Sequence, residues 1–189
     1  MEVSDLKIFH EYKKNKRRGL ELVYERYKKY VYSIAYHYSG NKEDALDITQ
    51  EVFMAVFRAF GSFKEQYSIL PWIKKITVNR CLNFLRNRKE SISLNQTTED
   101  GDELQDIISS NVTTDGSIVC KDTKKALEAA IQKLPDKQRM AILLRHMKHM
   151  KYDEIAETMK LPAGTVKTLI HNGRATLKDN LIKQGVWEV

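Results

Sequence analysis

Apolar residues recur along most of this chain at steps of three and four, and this spacing constrains the fold more than any other feature. It predicts helices over residues 19–39 and 43–60, and a third that starts at Pro71, a residue favoured in the first turn, and runs to about Arg88. Only 8 glycines and 3 prolines occur among 189 residues, which argues against turn-rich β architectures. The sequence therefore predicts an all-α protein, with further helices near 121–134, 136–148, 152–159 and 165–181.

Charge divides the chain into three segments. Residues 1–92 carry 18 basic and 11 acidic side chains, and residues 120–189 carry 14 basic and 8 acidic ones. The segment between them, 93–119, has six acidic side chains, no basic one, and many Ser, Thr, Asn, Asp and Gly residues. We interpret this pattern as two small basic helical domains joined by a flexible acidic linker. The formal net charge of +7 favours a polyanionic partner, although a basic surface that meets only water is the simpler alternative.

Residues 152–171, YDEIAETMKLPAGTVKTLIH, fit the spacing of a helix-turn-helix. Ala156 is small enough for two helices to approach closely, Leu161 would fill the turn, and Val166 and Leu169 would place the second helix on a core. The second helix then has an apolar back and a hydrogen-bonding, basic front of the kind that enters a DNA major groove. The alternative is an ordinary surface helix in a small bundle. The front carries Thr168, His171 and Ala175, flanked by Lys167, Asn172 and Lys178.

The helix predicted over 71–88 has one apolar half and one half suited to unstacked bases. An aromatic ring can stack on a base, amides can read base edges, and cations can hold phosphates. The loop before the helix adds three side chains suited to line a pocket for an extruded base. A stripe that is merely solvated is the competing interpretation. The residues concerned are Trp72, Lys75, Asn79, Asn83 and Arg86 on the helix, and Gln66, Tyr67 and Ser68 in the loop.

The helix predicted over 43–60 has the opposite polarity. Carboxylates in its first turns stabilise a helix through the macrodipole, and this structural role alone would account for them. The functional interpretation is a docking face that repels DNA and accepts a basic partner helix. That face presents Asp44, Asp47, Gln50, Glu51, Met54 and Arg58.

Three of these stretches together resemble one family of proteins. The segments KEDALDITQEVFMAVFRAFGSF and LPWIKKITVNRCLNFLRNR resemble region two of bacterial sigma factors. The segment LPDKQRMAILLRHMKHMKYDEIAETMKLPAGTVKTLIHNGRATLKDNL resembles their region four. Only the acidic linker separates them, which resembles the extracytoplasmic-function (ECF, group IV) members of the sigma-70 family. The resemblance covers nearly the whole chain in the family's order.

By this resemblance the chain is a cytoplasmic sigma factor, not an enzyme and without a cofactor, that binds core RNA polymerase and directs it to promoter DNA. The acidic helix would bind the clamp coiled coil of the β′ subunit through Asp44, Asp47, Gln50 and Glu51. The helix 71–88 and its loop would open the minus-ten element and hold it as a single strand. The family also implies an anti-sigma factor, which is frequently membrane-bound.

The resemblance assigns the minus-thirty-five element and the flap of the β subunit to the C-terminal helix-turn-helix. The matching DNA-contact positions are Thr165, Lys167, Thr168, His171 and Asn172, with Arg139, Arg145 and Arg174 near the DNA backbone. Several positions depart from the family's pattern, among them Thr168-Leu169, which stands where a Ser-Arg pair is frequent. Lys151 stands where the family favours Ser or Thr as a helix N-cap, which predicts slight fraying of the first helix of the helix-turn-helix. Lys160 occupies the position where the turn usually has glycine. Asn172 stands where Arg is common, which predicts weaker electrostatic binding of DNA. Gly173 stands where Ala is common, which predicts a lower helix propensity.

Two other functions compete with this prediction. A dimeric helix-turn-helix regulator would need a dimerisation or ligand domain within 1–92, where the acidic and aromatic–amide faces lie instead. A nucleic-acid enzyme would need a metal site, and Asp44, Asp47 and Glu51 lie along one helix without a convergent partner. His146 and His149 could pair as metal ligands on one helix, but two such residues without further ligands are usually ordinary surface residues. Two cysteines, no signal-peptide core and no long apolar run indicate a reduced, cytosolic protein.

Overall fold

A computed structural model describes residues 4–95 and 118–186, with side chains described over 4–87 and 123–186. Within these ranges the chain forms eight α-helices and one short 3-10 helix, Phe60–Ser62, so the predicted all-α class is confirmed. The N-terminal half, residues 4–95, holds α1 to α4, and the C-terminal half, residues 118–186, holds α5 to α8. The helices are α1 Asp5–Lys14, α2 Lys16–Ser39, α3 Lys42–Ala59, α4 Ile69–Asn95, α5 Ile118–Gln132, α6 Asp136–His146, α7 Tyr152–Met159 and α8 Ala163–Lys183.

Local capping explains where the first three helices begin. The side chain of Asn15 accepts a hydrogen bond from the backbone of Arg18 at the start of α2. Asn41 does the same for Asp44 at the start of α3. Gly40, with φ of 83°, ends α2 in the left-handed conformation that glycine adopts without strain. This turn separates the two helices predicted over 19–39 and 43–60.

The core of the N-terminal half is built around α2, which contacts α1, α3 and α4. Its buried face meets apolar side chains of α3 and α4 at the predicted periodicity. Cys81 of α4 is fully buried there, and burial raises the pKa of its thiol to about 12. The buried residues include Val23, Tyr27, Val31, Ile34 and Tyr38 from α2, Ile48, Val52 and Val56 from α3, and Ile73 from α4.

In the C-terminal half α6 forms the core and α8 crosses it. A Cβ atom placed on Gly173 of α8 would lie 2.9 Å from Cγ1 of Ile142, so the two helices approach closely at a residue that has no side chain. This contact gives Gly173 a packing role that compensates for its low helix propensity. Between α7 and α8, Lys160 adopts a φ of 55°, a left-handed conformation that costs a non-glycine residue about 1 kcal/mol. Leu161 packs against the core beyond that turn, as the helix-turn-helix pattern predicts.

The two halves pack against each other. The helices α2 and α4 contact α6, and α4 also contacts α7, so one apolar core runs through both halves. Polar contacts surround it: Gln132 Nε2 donates to the carbonyl of His37 at 2.9 Å, and Lys148 Nζ donates to Ser33 Oγ at 3.0 Å. The side chain of Gln132 also lies against Gly40, where a Cβ atom would meet it at 2.7 Å.

The structure differs from the predicted helices in two places. The helix α1 was not predicted, although Ser4 caps it and Ile8 and Phe9 bury one face of it. The helix α4 begins at Ile69 rather than Pro71 and continues to Asn95. Most of the predicted acidic linker, 93–119, lies outside the described residues.

Candidate polymerase-binding and nucleic-acid-binding surfaces

The acidic face of α3 is exposed over most of its predicted length. Asp47, Gln50 and Glu51 all reach solvent. Asp44 is only half-exposed, because its carboxylate accepts a hydrogen bond of 2.6 Å from the side chain of Asn41, the residue that caps the helix. Three of the four predicted contacts are therefore presented to a partner, while Asp44 also belongs to the helix start.

Apolar side chains that the sequence analysis did not assign to docking lie on the same exposed part of α3. Leu46 is 51% exposed and Phe57 is 36% exposed, beside the predicted Met54 at 45%. Tyr24 of α2, 40% exposed, packs edge-on against Phe53 at a ring-centroid distance of 4.8 Å. The sequence signal for these exposed side chains was that α3 has more apolar residues than one buried stripe needs. The docking face is therefore mixed, with both carboxylates and apolar groups.

The aromatic–amide stripe of α4 runs from half-buried to exposed along the helix. Trp72, Lys75 and Asn79 are partly covered, whereas Asn83 and Arg86 are exposed. The ring of Trp72 packs against Phe63 at a centroid distance of 4.6 Å and against Phe60 at 6.2 Å. Trp72 is thus held by the preceding loop rather than standing alone on the surface.

The loop before α4 exposes Gln66, Tyr67 and Ser68, as predicted. Gln66 lines an open cavity of about 460 Å³, whereas Tyr67 and Ser68 are not among the residues that line it. The remaining walls of the cavity come from α1 and from aromatic residues near the 3-10 helix. The complete lining is Phe9, Tyr12, Lys13, Phe60, Gly61, Phe63, Lys64, Glu65 and Gln66.

Ion pairs connect the α4 stripe to its surroundings. Arg80 lies 3.9 Å from Glu51 of the docking face, and Lys75 lies 3.8 Å from Glu157 of α7. Both pairs are substantially exposed, so each contributes at most about 1 kcal/mol. The second pair matters for position rather than for stability, because it places an acidic group of the C-terminal half beside the aromatic–amide stripe.

The front of α8 is exposed and its back is buried, as the sequence predicts. Val166, Ile170 and Gly173 are buried beneath it. The hydroxyl of Thr168 donates to the carbonyl of Gly164 at 3.1 Å, which holds that side chain along the helix. Six predicted DNA-contact residues reach solvent on this helix: Thr165, Lys167, Thr168, His171, Asn172 and Arg174.

A cationic cluster joins α8 to the end of α6. Arg174 Nε donates to Nε2 of His146 at 3.2 Å. Burial lowers the pKa of His146, and the neighbouring Arg174 and Arg145 lower it further. Arg145 donates to the carbonyl of Met150 at 2.9 Å and lies over the ring of Tyr152. Arg174 thus lies on α8 itself, whereas Arg145 is held at the end of α6 beside the start of α7.

Arg139 occupies a different place from the one the resemblance implied. Its side chain is buried, and its guanidinium donates to the carbonyls of Ile131, Gln132 and Leu134 at the end of α5. It also donates to the carbonyl of Tyr38 at the end of α2, at 2.9 Å. These acceptors are backbone carbonyls at, or just after, the C-terminal ends of α5 and α2, where helices leave carbonyls in need of donors. Arg139 therefore joins the two halves, and in this arrangement it does not face DNA.

The capping of α7 also differs from expectation. Lys151 provides no side-chain acceptor, but the carboxylate of Glu154 accepts the backbone N–H of Lys151 at 2.7 Å. This is half of a capping box, and it stabilises the helix start that the sequence predicted to fray.

Among the described residues, no group of three or more His, Cys, Asp or Glu side chains is placed to hold a metal ion. The same residues include no helix that is long and apolar enough to cross a membrane.

Comparison with known proteins gives a consistent family match. Residues 23–91 match the model of sigma-70 region 2, and residues 124–177 match that of sigma-70 region 4. The chain is 29% identical over 184 residues to the ECF RNA polymerase sigma factor SigW of Bacillus subtilis, covering 96% of this chain and 98% of that protein. It is 28% identical to the ECF sigma-E factor of Escherichia coli, covering 96% of each.

A further relative and two solved structures agree with this match. SigE of Mycolicibacterium smegmatis is 34% identical over 155 residues, which cover 81% of this chain and 58% of that protein. The sigma factor RpoE of Bartonella quintana, in complex with the anti-sigma factor NepR, has a TM-score of 0.64 at 23% identity, covering 89% of this chain and 97% of that one. CnrH, in complex with the cytosolic domain of CnrY, has a TM-score of 0.62 at 17% identity. Region 2 and region 4 in this order, with relatives aligned along nearly the whole chain, show that this protein belongs to the sigma-70 family as an ECF RNA polymerase sigma factor, which directs promoter-specific initiation.

Proposed function

We propose that this sigma factor divides its work among three surfaces, one for core polymerase and two for DNA. The observation that carries the proposal is their placement: an exposed acidic and apolar face on α3, an aromatic–amide stripe on the adjacent α4, and a separate polar, basic front on α8. The chain acts in the cytoplasm beside polymerase and performs no catalysis itself. Residues 1–92 and 120–189 act as two domains, and the segment between them is the tether.

The α3 surface is suited to a partner helix that carries both basic and apolar groups. Asp47 and Glu51 lie one turn apart, and the exposed Met54 and Leu46 offer apolar area beside them. Carboxylates at the edge of such an interface steer association and fix its register, while the apolar side chains contribute burial. We assign this surface to the clamp coiled coil of the β′ subunit.

The α4 surface is suited to single-stranded minus-ten DNA. Asn79 and Asn83 offer amide groups on successive turns, and Lys75 and Arg86 supply charge for phosphates. The cavity beside Gln66 is large enough for a planar base and is walled mainly by aromatic rings and basic side chains. We assign base capture to this cavity.

The α8 surface is suited to duplex minus-thirty-five DNA and would lie in the major groove. Lys167 and His171 stand one turn apart on its exposed front, and Thr165 and Asn172 flank them. We assign contacts with the DNA backbone to Arg174 on this helix and to Arg145 at the end of α6. The β flap is assigned to the C-terminal half by the family's pattern.

An anti-sigma factor is a further proposed partner. The structurally similar RpoE of Bartonella quintana was solved with one, NepR, and CnrH with the cytosolic domain of CnrY. In this chain the mixed α3 surface is the area such a partner would cover, because masking it prevents polymerase docking. A membrane-bound anti-sigma factor would reach it through a cytosolic segment.

The decisive experiment is run-off transcription from a promoter library with core polymerase and the full chain. We expect specific transcripts only when both are present, whereas a dimeric helix-turn-helix regulator would bind its duplex without polymerase.

The variant with Asp47→Lys and Glu51→Lys should weaken holoenzyme assembly by about 10- to 100-fold, because reversal turns attraction into repulsion. The matched control, Asp153→Lys with Asp179→Lys, makes the same change of charge on exposed residues of the C-terminal half. Unchanged assembly with an intact helical signal would exclude this face as the docking site.

A further inference from the structure

The helix α1 lies outside the segment that matches the region 2 family model, which begins at residue 23. It nevertheless contacts the loop before α4 from both of its own ends. At one end the Asp5 carboxylate accepts the backbone N–H of Ile69 at 3.0 Å and the hydroxyl of Ser68 at 3.2 Å. At the other end Lys13 Nζ lies 2.7 Å from the carboxylate of Glu65. These contacts make α1 a clamp on the loop.

The Asp5 end of the clamp is the firmer one. Its second carboxylate oxygen accepts the hydroxyl of Tyr27 at 2.9 Å and lies 3.1 Å from the guanidinium of Arg26, so both oxygens are engaged. Burial alone would raise the pKa of Asp5, but the hydrogen bonds from Ile69, Tyr27 and Ser68 and the charge of Arg26 outweigh it and lower the pKa. The side chain is 23% exposed and stays ionised at neutral pH.

The Lys13–Glu65 pair is weaker by comparison. Its two side chains are 67% and 53% exposed, so water and salt screen the attraction between them. Loss of this pair alone would leave the loop fixed at Asp5. The two ends therefore provide a matched comparison within one helix.

The groups that Asp5 holds are those from which the minus-ten surface starts. Ser68 is the last loop residue, and Ile69 is the first residue of α4, whose N-terminal N–H groups need acceptors. A carboxylate at this position also complements the positive end of the helix macrodipole. Trp72 and Lys75 follow within two turns, so the direction in which α4 leaves the loop sets where the stripe begins.

The cavity assigned to base capture lies between the two ends of this clamp. Phe9, Tyr12 and Lys13 of α1 form one wall, and Phe63 and Gln66 form part of the opposite side. If Asp5 released Ser68 and Ile69, the loop would shift relative to the α1 wall and the width of the cavity would change. The carboxylate is therefore placed to fix the distance between the base cavity and the amide stripe.

We infer that Asp5 is a positioning residue for minus-ten recognition, which acts through Ser68 and Ile69 to fix the base-capture loop against α4. This inference rests on the proposed function of the loop and of α4. It assigns to α1 a contribution to base selectivity, in addition to its contribution to the core. Asp5 itself does not contact DNA.

The test uses holoenzyme assembled from core polymerase and the full chain. Its probes are single-stranded minus-ten oligonucleotides that differ only in the base at the extruded position. In Asp5→Asn, the ratio of the affinity for the preferred base to the affinity for the other bases should fall about three- to tenfold. Holoenzyme assembly should stay as in the parent. Ser68→Ala, which removes a loop contact of Asp5 directly, should show the same loss. Tyr27→Phe, which removes an α2 contact of Asp5, should lower thermal stability and keep the selectivity, and Lys13→Ala should change selectivity by less than twofold.

The outcomes separate the inference from the function on which it rests. A selective parent with equally selective Asp5→Asn and Ser68→Ala variants overturns the inference and leaves the proposed function intact. A parent holoenzyme that does not discriminate among the oligonucleotides overturns both. If Asp5→Asn does not fold, Ser68→Ala decides the matter, because its hydroxyl is exposed and it removes one loop contact alone.

Discussion

The two proposed DNA surfaces are presented in opposite ways. The front of α8 projects Lys167, Thr168 and His171 into solvent from one continuous helix. The stripe on α4 is partly covered, with Trp72 packed on the loop and Lys75 beside Glu157 of the other half. A duplex-reading helix needs only an exposed, rigid front, because the base edges in a major groove are already displayed. A surface for extruded bases needs walls from several elements, and its neighbours therefore remain in contact with it.

The largest expected effect concerns the residue that brings the two surfaces together. Arg139→Ala should lower the free energy of unfolding by about 2–4 kcal/mol, because it removes a buried donor from the carbonyls of Tyr38, in α2, and Leu134, just after α5. It should also loosen the contact between the halves and expose the α4 stripe as fully as the α8 front. Urea denaturation and limited proteolysis would measure both effects.

Arg139→Lys is the control for that experiment. Lysine keeps the charge but cannot span acceptors on two helices as a guanidinium does, so an intermediate loss is expected. If the alanine variant has the same free energy of unfolding as the parent, the difference between the two DNA surfaces does not depend on the contacts of Arg139.

The next effect separates the two surfaces by reaction step. Asn79→Ala with Asn83→Ala should leave duplex binding nearly unchanged and reduce promoter opening by about tenfold or more, because base-edge contacts of about 1–3 kcal/mol are lost. Permanganate footprinting of the opened strand would measure it.

A premelted promoter sharpens the assignment of these asparagines. If they only assist melting, premelting should restore activity. If they read exposed bases, the defect should persist and depend on the minus-ten sequence. If the double asparagine variant opens and transcribes its promoter like the parent, the α4 stripe does not contact minus-ten DNA through these residues.

A smaller effect is expected on the open surface. Lys167→Ala with His171→Ala should weaken closed-complex binding several-fold and reduce the slope of log K against log salt by about 1, because a cationic contact is lost. Binding measured across a salt series tests this expectation. Lys183→Ala, at the end of the same helix, removes an exposed charge away from the front and should behave as the parent. Equal slopes in both variants would contradict a role for the α8 front.

The smallest effect concerns the cover over the α4 stripe. Glu157→Gln removes an exposed ion pair worth at most about 1 kcal/mol, so single-stranded minus-ten DNA should bind the free protein about twofold more tightly. Fluorescence anisotropy would detect this change. Asp153→Asn, one turn earlier on α7 and also exposed, is the matched control. A change of the same size in both variants would indicate general charge repulsion rather than a specific cover.

Local patterns determined much of this protein. The apolar spacing predicted seven of the eight described helices, with α4 alone extending well beyond its predicted end, from Arg88 to Asn95. The helix-turn-helix pattern placed Val166 and Leu161 correctly. Both features depend on residues close together in the chain. The exposed front of α8 followed directly, since a helix with one buried face must present the other. The acidic face of α3 followed for the same reason. The helix α1 was also within reach of the sequence, because Ser4 precedes an apolar pair at Ile8 and Phe9.

Only the tertiary structure decided which functional side chains have partners. A basic residue such as Arg139 has the same local signal whether it meets a phosphate or the carbonyls of a distant helix end, and the contact with Tyr38 joins residues 101 positions apart. The pairing of Lys75 with Glu157 and the contact of Asp5 with Ser68 and Ile69 are equally non-local. Helical periodicity specifies which face of a helix is buried, but it carries no information about which other element supplies the acceptors, because that depends on how the helices pack in three dimensions.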